Sequence, residues 1–203
     1  MVEPYLRRSP LAHRGLAAKA AATDAGADIV MAERPHRCQI NLRGNPADIK
    51  FTDALHGVTG LRLPAEANGF TTAGALACLW LGPDEWLILG PGGGEHDIAA
   101  RLRAALGEIH AAVTDVSEAR TTIAVAGPRA RELLAKGTSI DLHPRAFGPG
   151  RCVQTGFAGA NITLRQTDDT PSFEILVLNS FAEHLWAWLE GGAREYRVAI
   201  SVR

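Results

Sequence analysis

Cysteine is scarce in this chain. Only Cys38, Cys78 and Cys152 stand among 203 residues, far apart and with no C-x-x-C pair. That spacing excludes a zinc ribbon and a thioredoxin-type site, and a reducing cytoplasm is the simplest setting for three such thiols. The seven histidines include no H-E-x-x-H and no i,i+4 pair on one helix pattern, so no metal site is read. A surplus of positive charge is missing too. Lys and Arg number 21 against 22 Asp and Glu, which argues against a general nucleic-acid binder. No apolar run approaches the ~20 residues of a membrane span. The first ten residues hold no apolar core of signal-peptide length. Neither G-x-G-x-x-G, nor G-K-[ST], nor G-x-S-x-G occurs.

What the chain does have is a repeat. The run from Cys38 through Gly44, Pro46 and Gly57 is an apolar strand pattern, then Gly, then Pro, then a helix pattern stopped by Gly. Thr121 through Gly127, Pro128 and Gly137 repeats it. Gly69-Phe70 with Ala73-Gly74-Ala75 is echoed by Gly156-Phe157 with Ala158-Gly159-Ala160. Asn45 is the expected cap of the first helix and Pro46 its first turn. Gly82-Pro83-Asp84-Glu85 and Asp168-Asp169-Thr170-Pro171 are turn chemistry between strand pairs. Ser180 is the expected cap of a last helix whose Phe181, Leu185, Trp188 and Leu189 share a face.

These patterns predict an α+β fold of two tandem ferredoxin-like β-α-β-β-α-β units packed as a pseudo-twofold pair. Residues 1–35 read as an N-terminal arm with a short helix, ordered by a neighbour. Residues 36–117 form the first unit and 118–203 the second, in one compact body.

Several local signals invite chemistry. Pro91-Gly92-Gly93-Gly94 before a helix has the look of a phosphate loop but lacks its lysine, and reads as a flexible turn. His143 in Asp141-Leu142-His143-Pro144-Arg145 has a neighbouring acid that would orient it for proton transfer, against the plainer reading of an Asp-capped turn. Ser117 lies beside Asp115, which pairs more naturally with Arg120 as a structural ion pair. Arg151 beside Cys152 would activate a thiol, yet no His or second Cys is near, and a buried inert cysteine is the simpler reading. Trp186 falls off the expected apolar stripe and is a candidate interface anchor, against the plainer reading of core or partial burial that is the average fate of tryptophan.

Longer strings carry a family resemblance. Arg8-Ser9-Pro10-Leu11, Leu81-Gly82-Pro83-Asp84-Glu85-Trp86-Leu87-Ile88, Asp115-Val116-Ser117 with Arg120-Thr121, Ala126-Gly127-Pro128-Arg129-Ala130-Arg131-Glu132-Leu133-Leu134, and Asp141-Leu142-His143-Pro144-Arg145-Ala146-Phe147 followed by Cys152-Val153-Gln154-Thr155 occur in this order. Together they resemble the gamma-subunit family of heterotetrameric sarcosine oxidase over nearly the whole chain. That family is similar to the folate-binding domain of the aminomethyltransferases. The resemblance implies a complex that oxidatively demethylates sarcosine to glycine with oxygen. Hydrogen peroxide is released, and the methyl carbon leaves as formaldehyde or methylenetetrahydrofolate. It implies alpha, beta and delta subunits as partners, with FAD, FMN, NAD and tetrahydrofolate carried by them and none by this chain. No nucleic acid and no membrane is expected.

The expectation for this chain is therefore a non-catalytic subunit with no catalytic residue of its own. Arg8, Pro10 and Trp186 are its candidate partner contacts. The alternative is a stand-alone tetrahydrofolate-binding one-carbon transfer protein, with Asp115, Arg120 and His143 at the pocket's edge. Gly150-Arg151-Cys152-Val153-Gln154-Thr155 sits where a related iron–sulfur maturation family carries K-G-C-Y-x-G-Q. The Lys, Tyr and second Gly are absent here.

Overall fold

A computed structural model of the chain describes residues 7–20 and 26–202. It is a mixed α+β structure with two sheets, divided into two compact units: His36–Glu118, and Met1–Pro35 together with Ala119–Arg203. After a short helix, α1 (Leu16–Ala20), and a first strand, β1 (Ile29–Arg34), the chain enters the His36–Glu118 unit.

That unit runs β2 (Cys38–Arg43), α2 (Ile49–Thr59), β3 (Phe70–Ala73), β4 (Leu76–Gly82), β5 (Glu85–Gly90), α3 (Glu95–Leu106) and β6 (Ala112–Asp115). Its antiparallel sheet has the order β3-β4-β5-β2-β6. Cys38, Ile40 and Leu42 alternate along β2 into a core shared with Phe51 and Leu55 of α2 and with Leu102 and Leu106 of α3. Burying each large apolar side chain contributes about 1.5–3 kcal/mol.

Gly44 is set by that packing, because a Cβ there would lie 2.3 Å from the Phe51 ring. Phe51 in turn packs at 5.8 Å on Trp86. The cap of α2 differs from expectation. Asn45 accepts from the Ala47 amide at 3.0 Å in a turn with Pro46 at its second position, and Asp48 caps the helix through the Lys50 amide at 2.9 Å. Gly57 stays inside the helix. Gly60, at φ 73°, ends it by donating to the His56 carbonyl at 2.7 Å.

The other unit continues with β7 (Arg120–Ala126), α4 (Ala130–Ala135), β8 (Cys152–Phe157), β9 (Ala160–Asp168), β10 (Ser172–Leu178), α5 (Asn179–Gly192) and β11 (Val198–Ser201). Its sheet has the order β11-β1-β7-β10-β9-β8. Here the reading of residues 1–35 as an arm needs correction. β1 lies inside the sheet, antiparallel to β7 and parallel to β11, with Ile29 and Met31 fully buried. Ile29-Val30-Met31-Ala32 is an unbroken apolar run, the pattern of a strand covered on both faces, so a search for alternation passes over it.

Gly127 of the repeated Gly-Pro step belongs to the same arrangement. Its φ is 112°, and a Cβ would sit 2.6 Å from the Asp28 carbonyl oxygen, where the chain leads into β1. The units also carry strands beyond the expected β-α-β-β-α-β order, β3 in the His36–Glu118 unit and both β1 and β8 in the other.

α5 buries Ala182, Leu185, Trp186 and Leu189. This stripe is rotated from the expected one, so Phe181 is exposed and Trp188 only partly buried. No serine cap forms: Leu178 occupies the N-cap position without a side-chain hydrogen bond. In the β8–β9 turn, Ala158 holds a left-handed φ of 50° beside Gly159 at 84°. A non-glycine residue there costs about 1–2 kcal/mol, part of which the greater freedom of glycine in the unfolded chain offsets. Ala158→Gly is expected to raise stability by about 0.5–1 kcal/mol in denaturant titration.

Candidate functional site

The glycine-rich segment before α3 is closed by the chain's own carboxylate. Glu95 is buried and accepts from the Gly93 amide at 2.7 Å. An anion held there from outside would compete with this internal one. Gly92 is required for space, since a Cβ would lie 2.0 Å from the His36 carbonyl oxygen.

Asp115 and Ser117 are joined structurally. Asp115 Oδ1 accepts from the Ser117 amide at 3.0 Å and from its hydroxyl at 2.6 Å, while Ser117 Oγ accepts from the Gln39 amide at 2.9 Å. The serine thus extends the β2–β6 ladder and is not held against a base. Arg120 lies at the start of β7 and lines an open groove of about 380 Å³ with Gln154, Asn161, Thr163 and Leu178. His143 is not among that groove's lining residues.

His143 lies in the long connection between α4 and β8. Asp141 Oδ1 accepts from the His143 backbone amide at 2.8 Å, and the imidazole Nδ1 accepts from the Arg145 amide at 3.2 Å. The acid therefore caps a turn and does not orient the ring for proton transfer. The larger groove, about 620 Å³, lies on the His36–Glu118 unit beside Arg43, Asp84 and His110.

All three cysteines are buried thiols. The Cys38 thiol is pushed up to about 12, first by burial and then by the charges of Glu95 and Asp115, so it carries no thiolate at neutral pH.

Among the candidate partner contacts, Arg8 is exposed and Pro10 half-buried. Trp186 is fully buried in the core of its own unit and cannot serve as a surface anchor. The segment around Pro10 is ordered by the chain itself. Ser9 donates to Glu33, Leu11 is buried, and Arg14 bonds both Glu183 and Glu190 of α5.

Glu183 is drawn down to about 2, chiefly by the hydrogen bond from Arg14, with the charges of Arg14 and His13 adding to it. Its ordinary value is 4.5. This contribution to docking is complete above that value and is lost as pH falls through about 2. Residues 9–14 are therefore expected to become sensitive to hydrogen exchange in that acid window. Arg14→Ala should produce the same exposure at neutral pH.

Two positions missed in the sequence carry the strongest polar chemistry. Glu174, in β10, is buried between Arg165 and Arg34, with Arg165 Nε at 2.7 Å. Arg131, in α4, bonds the carbonyls of Leu142 and Phe147 and the Gln166 side chain, over the Phe173 ring at 5.2 Å. Burial holds its guanidinium below the usual arginine range. Among the described residues, no three His, Cys, Asp or Glu side chains gather as a metal-ligand set, and no helix is long and apolar enough to cross a membrane.

Comparison with known proteins gives a consistent picture. Residues 43–195 match the model of the family described as "Sarcosine oxidase, gamma subunit family". The sarcosine oxidase subunit gamma of Corynebacterium sp. (strain U-96) is 35% identical over 197 residues, covering 96% of this chain and 93% of that protein. A chain of the heterotetrameric sarcosine oxidase from Corynebacterium sp. U-96, solved in complex with pyrrole 2-carboxylate, superposes with a TM-score of 0.84 at 36% identity, over 98% of this chain and 100% of that one. The glycine cleavage system aminomethyltransferase T from Bartonella henselae superposes with a TM-score of 0.65 at 17% identity, over 92% of this chain and 50% of that one, a likeness of fold.

Proposed function

The chain belongs to the sarcosine oxidase gamma-subunit family, and from that premise we propose that it works as a non-catalytic subunit of a heterotetrameric oxidoreductase assembly. The observation that carries this reading is the full-length match to one chain of the heterotetrameric enzyme, 98% of this chain against 100% of that one.

The site geometry supports the non-catalytic part. Asp115 is committed to Ser117, the Asp141 carboxylate to a backbone amide, and the glycine-rich helix start to Glu95. In this reading the alpha, beta and delta chains carry FAD, FMN, NAD and tetrahydrofolate. The assembly, in the cytoplasm, oxidises sarcosine to glycine with release of hydrogen peroxide and of formaldehyde or methylenetetrahydrofolate. Each unit is an elaborated ferredoxin-like body. The order β4-β5-β2-β6 supports this in one, and in the other β1 stands between the first and last strands of the same plan.

The test is a mild pull-down of the tagged chain from its native cells. A yellow, stoichiometric complex that consumes oxygen with sarcosine is the expected result. A colourless lone chain overturns the reading. In that case saturable heat on titration with tetrahydrofolate would establish the one-carbon transfer alternative, with Arg120 as the first residue to vary.

A further inference from the structure

The connection between α4 and β8, residues 136–151, is longer than its counterpart between α2 and β3, residues 60–69. Long connections without regular structure in compact units are uncommon and frequently functional. This one is pinned at two points. Leu142 and Phe147 are both buried in the core, and Phe147 stacks on Phe173 at 6.5 Å. The Arg131 guanidinium bonds the carbonyl oxygens of the same two residues.

Between the two pegs the tip has one closed geometry. The His143 carbonyl accepts from the Ala146 amide at 2.8 Å and from the Phe147 amide at 2.9 Å, and Asp141 fixes the His143 amide. His143 Nδ1 is occupied as the acceptor of the Arg145 amide, which puts the proton of the neutral ring on Nε2 as a donor. Both side chains are exposed, and the Arg145 guanidinium has no hydrogen-bond or ion-pair partner among the described residues. A turn whose backbone is already fixed loses little loop entropy on binding, which leaves the ordering of the Arg145 side chain as the main conformational cost.

We propose that residues 143–145 form a preorganised docking knob for a carboxylate-bearing surface on another subunit of the complex. The occupant follows from the chemistry of the tip. It has two donors, one permanently positive, and the acid of the same loop, Asp141, accepts from the turn's own backbone through Oδ1. Arginine pairs such a carboxylate through two parallel N–H bonds, which fixes orientation as well as charge. This inference rests on the subunit reading above.

The experiment is competitive assembly. Differently tagged wild-type and variant full-length chains are co-expressed with the partner subunits, and the ratio in the purified complex is compared with the ratio in the soluble input. Arg145→Glu is expected at about a tenth or less of the wild-type share, because it sets like charges against each other. Arg145→Gln is expected at an intermediate share. Parity of Arg145→Glu with wild type, in a complex that has formed, overturns the docking knob and leaves the subunit reading intact. If neither chain enters a complex, both fall together.

Discussion

Glu174→Ala is expected to destabilise the chain by about 3–5 kcal/mol, a large share of the 5–15 kcal/mol that holds a typical domain together. The carboxylate is 2% exposed and the Arg165 side chain 8%, so water does little to screen the pair. Arg165 reaches it through Nε at 2.7 Å and through a second guanidinium nitrogen at 2.5 Å, and Arg34 reaches it from the neighbouring side. Removing the acid leaves the Arg165 charge buried without its carboxylate, and that residual charge accounts for most of the cost. Glu174→Leu combined with Arg165→Met removes both charges and is expected to recover most of the loss. Denaturant titration of the purified chain would measure both. A loss below about 1 kcal/mol in the single variant would mean that the pair is solvated in solution.

Trp186→Ala is expected to cost a similar amount, about 3–5 kcal/mol, because the ring fills the core beneath α5 and its removal leaves a cavity. Trp186→Phe should cost much less. The indole Nε1–H is buried without a hydrogen-bond partner, so phenylalanine removes an unsatisfied donor while keeping most of the apolar volume. The two variants separate a core role from an interface role. A core residue lowers the melting temperature of the lone chain in proportion to cavity size. An interface anchor would leave that temperature unchanged and weaken assembly alone, and this outcome would contradict the packing described here.

The outline of both units was legible in the sequence because helix and strand periods are local. Cys38, Ile40 and Leu42 alternate, and Gly-Pro marks the same corner twice. What escaped depended on partners distant in sequence. β1 reads as neither helix nor alternating strand, since β7 and β11 take up its two edges and residues on both of its faces, Met31 and Ala32, are buried. The stripe of α5 was misassigned because 181-185-188-189 and 182-185-186-189 both fit a helical period. Only the packing chooses between the two aromatic residues, Trp186 and Trp188. Glu174 did leave a trace, as a lone acid inside the apolar run Phe173-Glu174-Ile175-Leu176-Val177, a place where an unpaired charge is not tolerated. Arg131 left none, because an arginine on a short helix looks solvated until the carbonyls it serves are known.

The position of β1 bears on the order in which the protein is made. β1 is flanked in the finished sheet by β7, made much later, and by β11, made later still. His36–Glu118, by contrast, is contiguous and can collapse as soon as it emerges. The N-terminal strand must therefore wait through synthesis of an entire unit with its apolar run Ile29-Val30-Met31-Ala32 unpaired. Such non-local pairings form slowly and are exposed to wrong partners in the meantime. Premature termination anywhere before Val198 leaves one edge of β1 bare, so incomplete chains are the species most prone to aggregate.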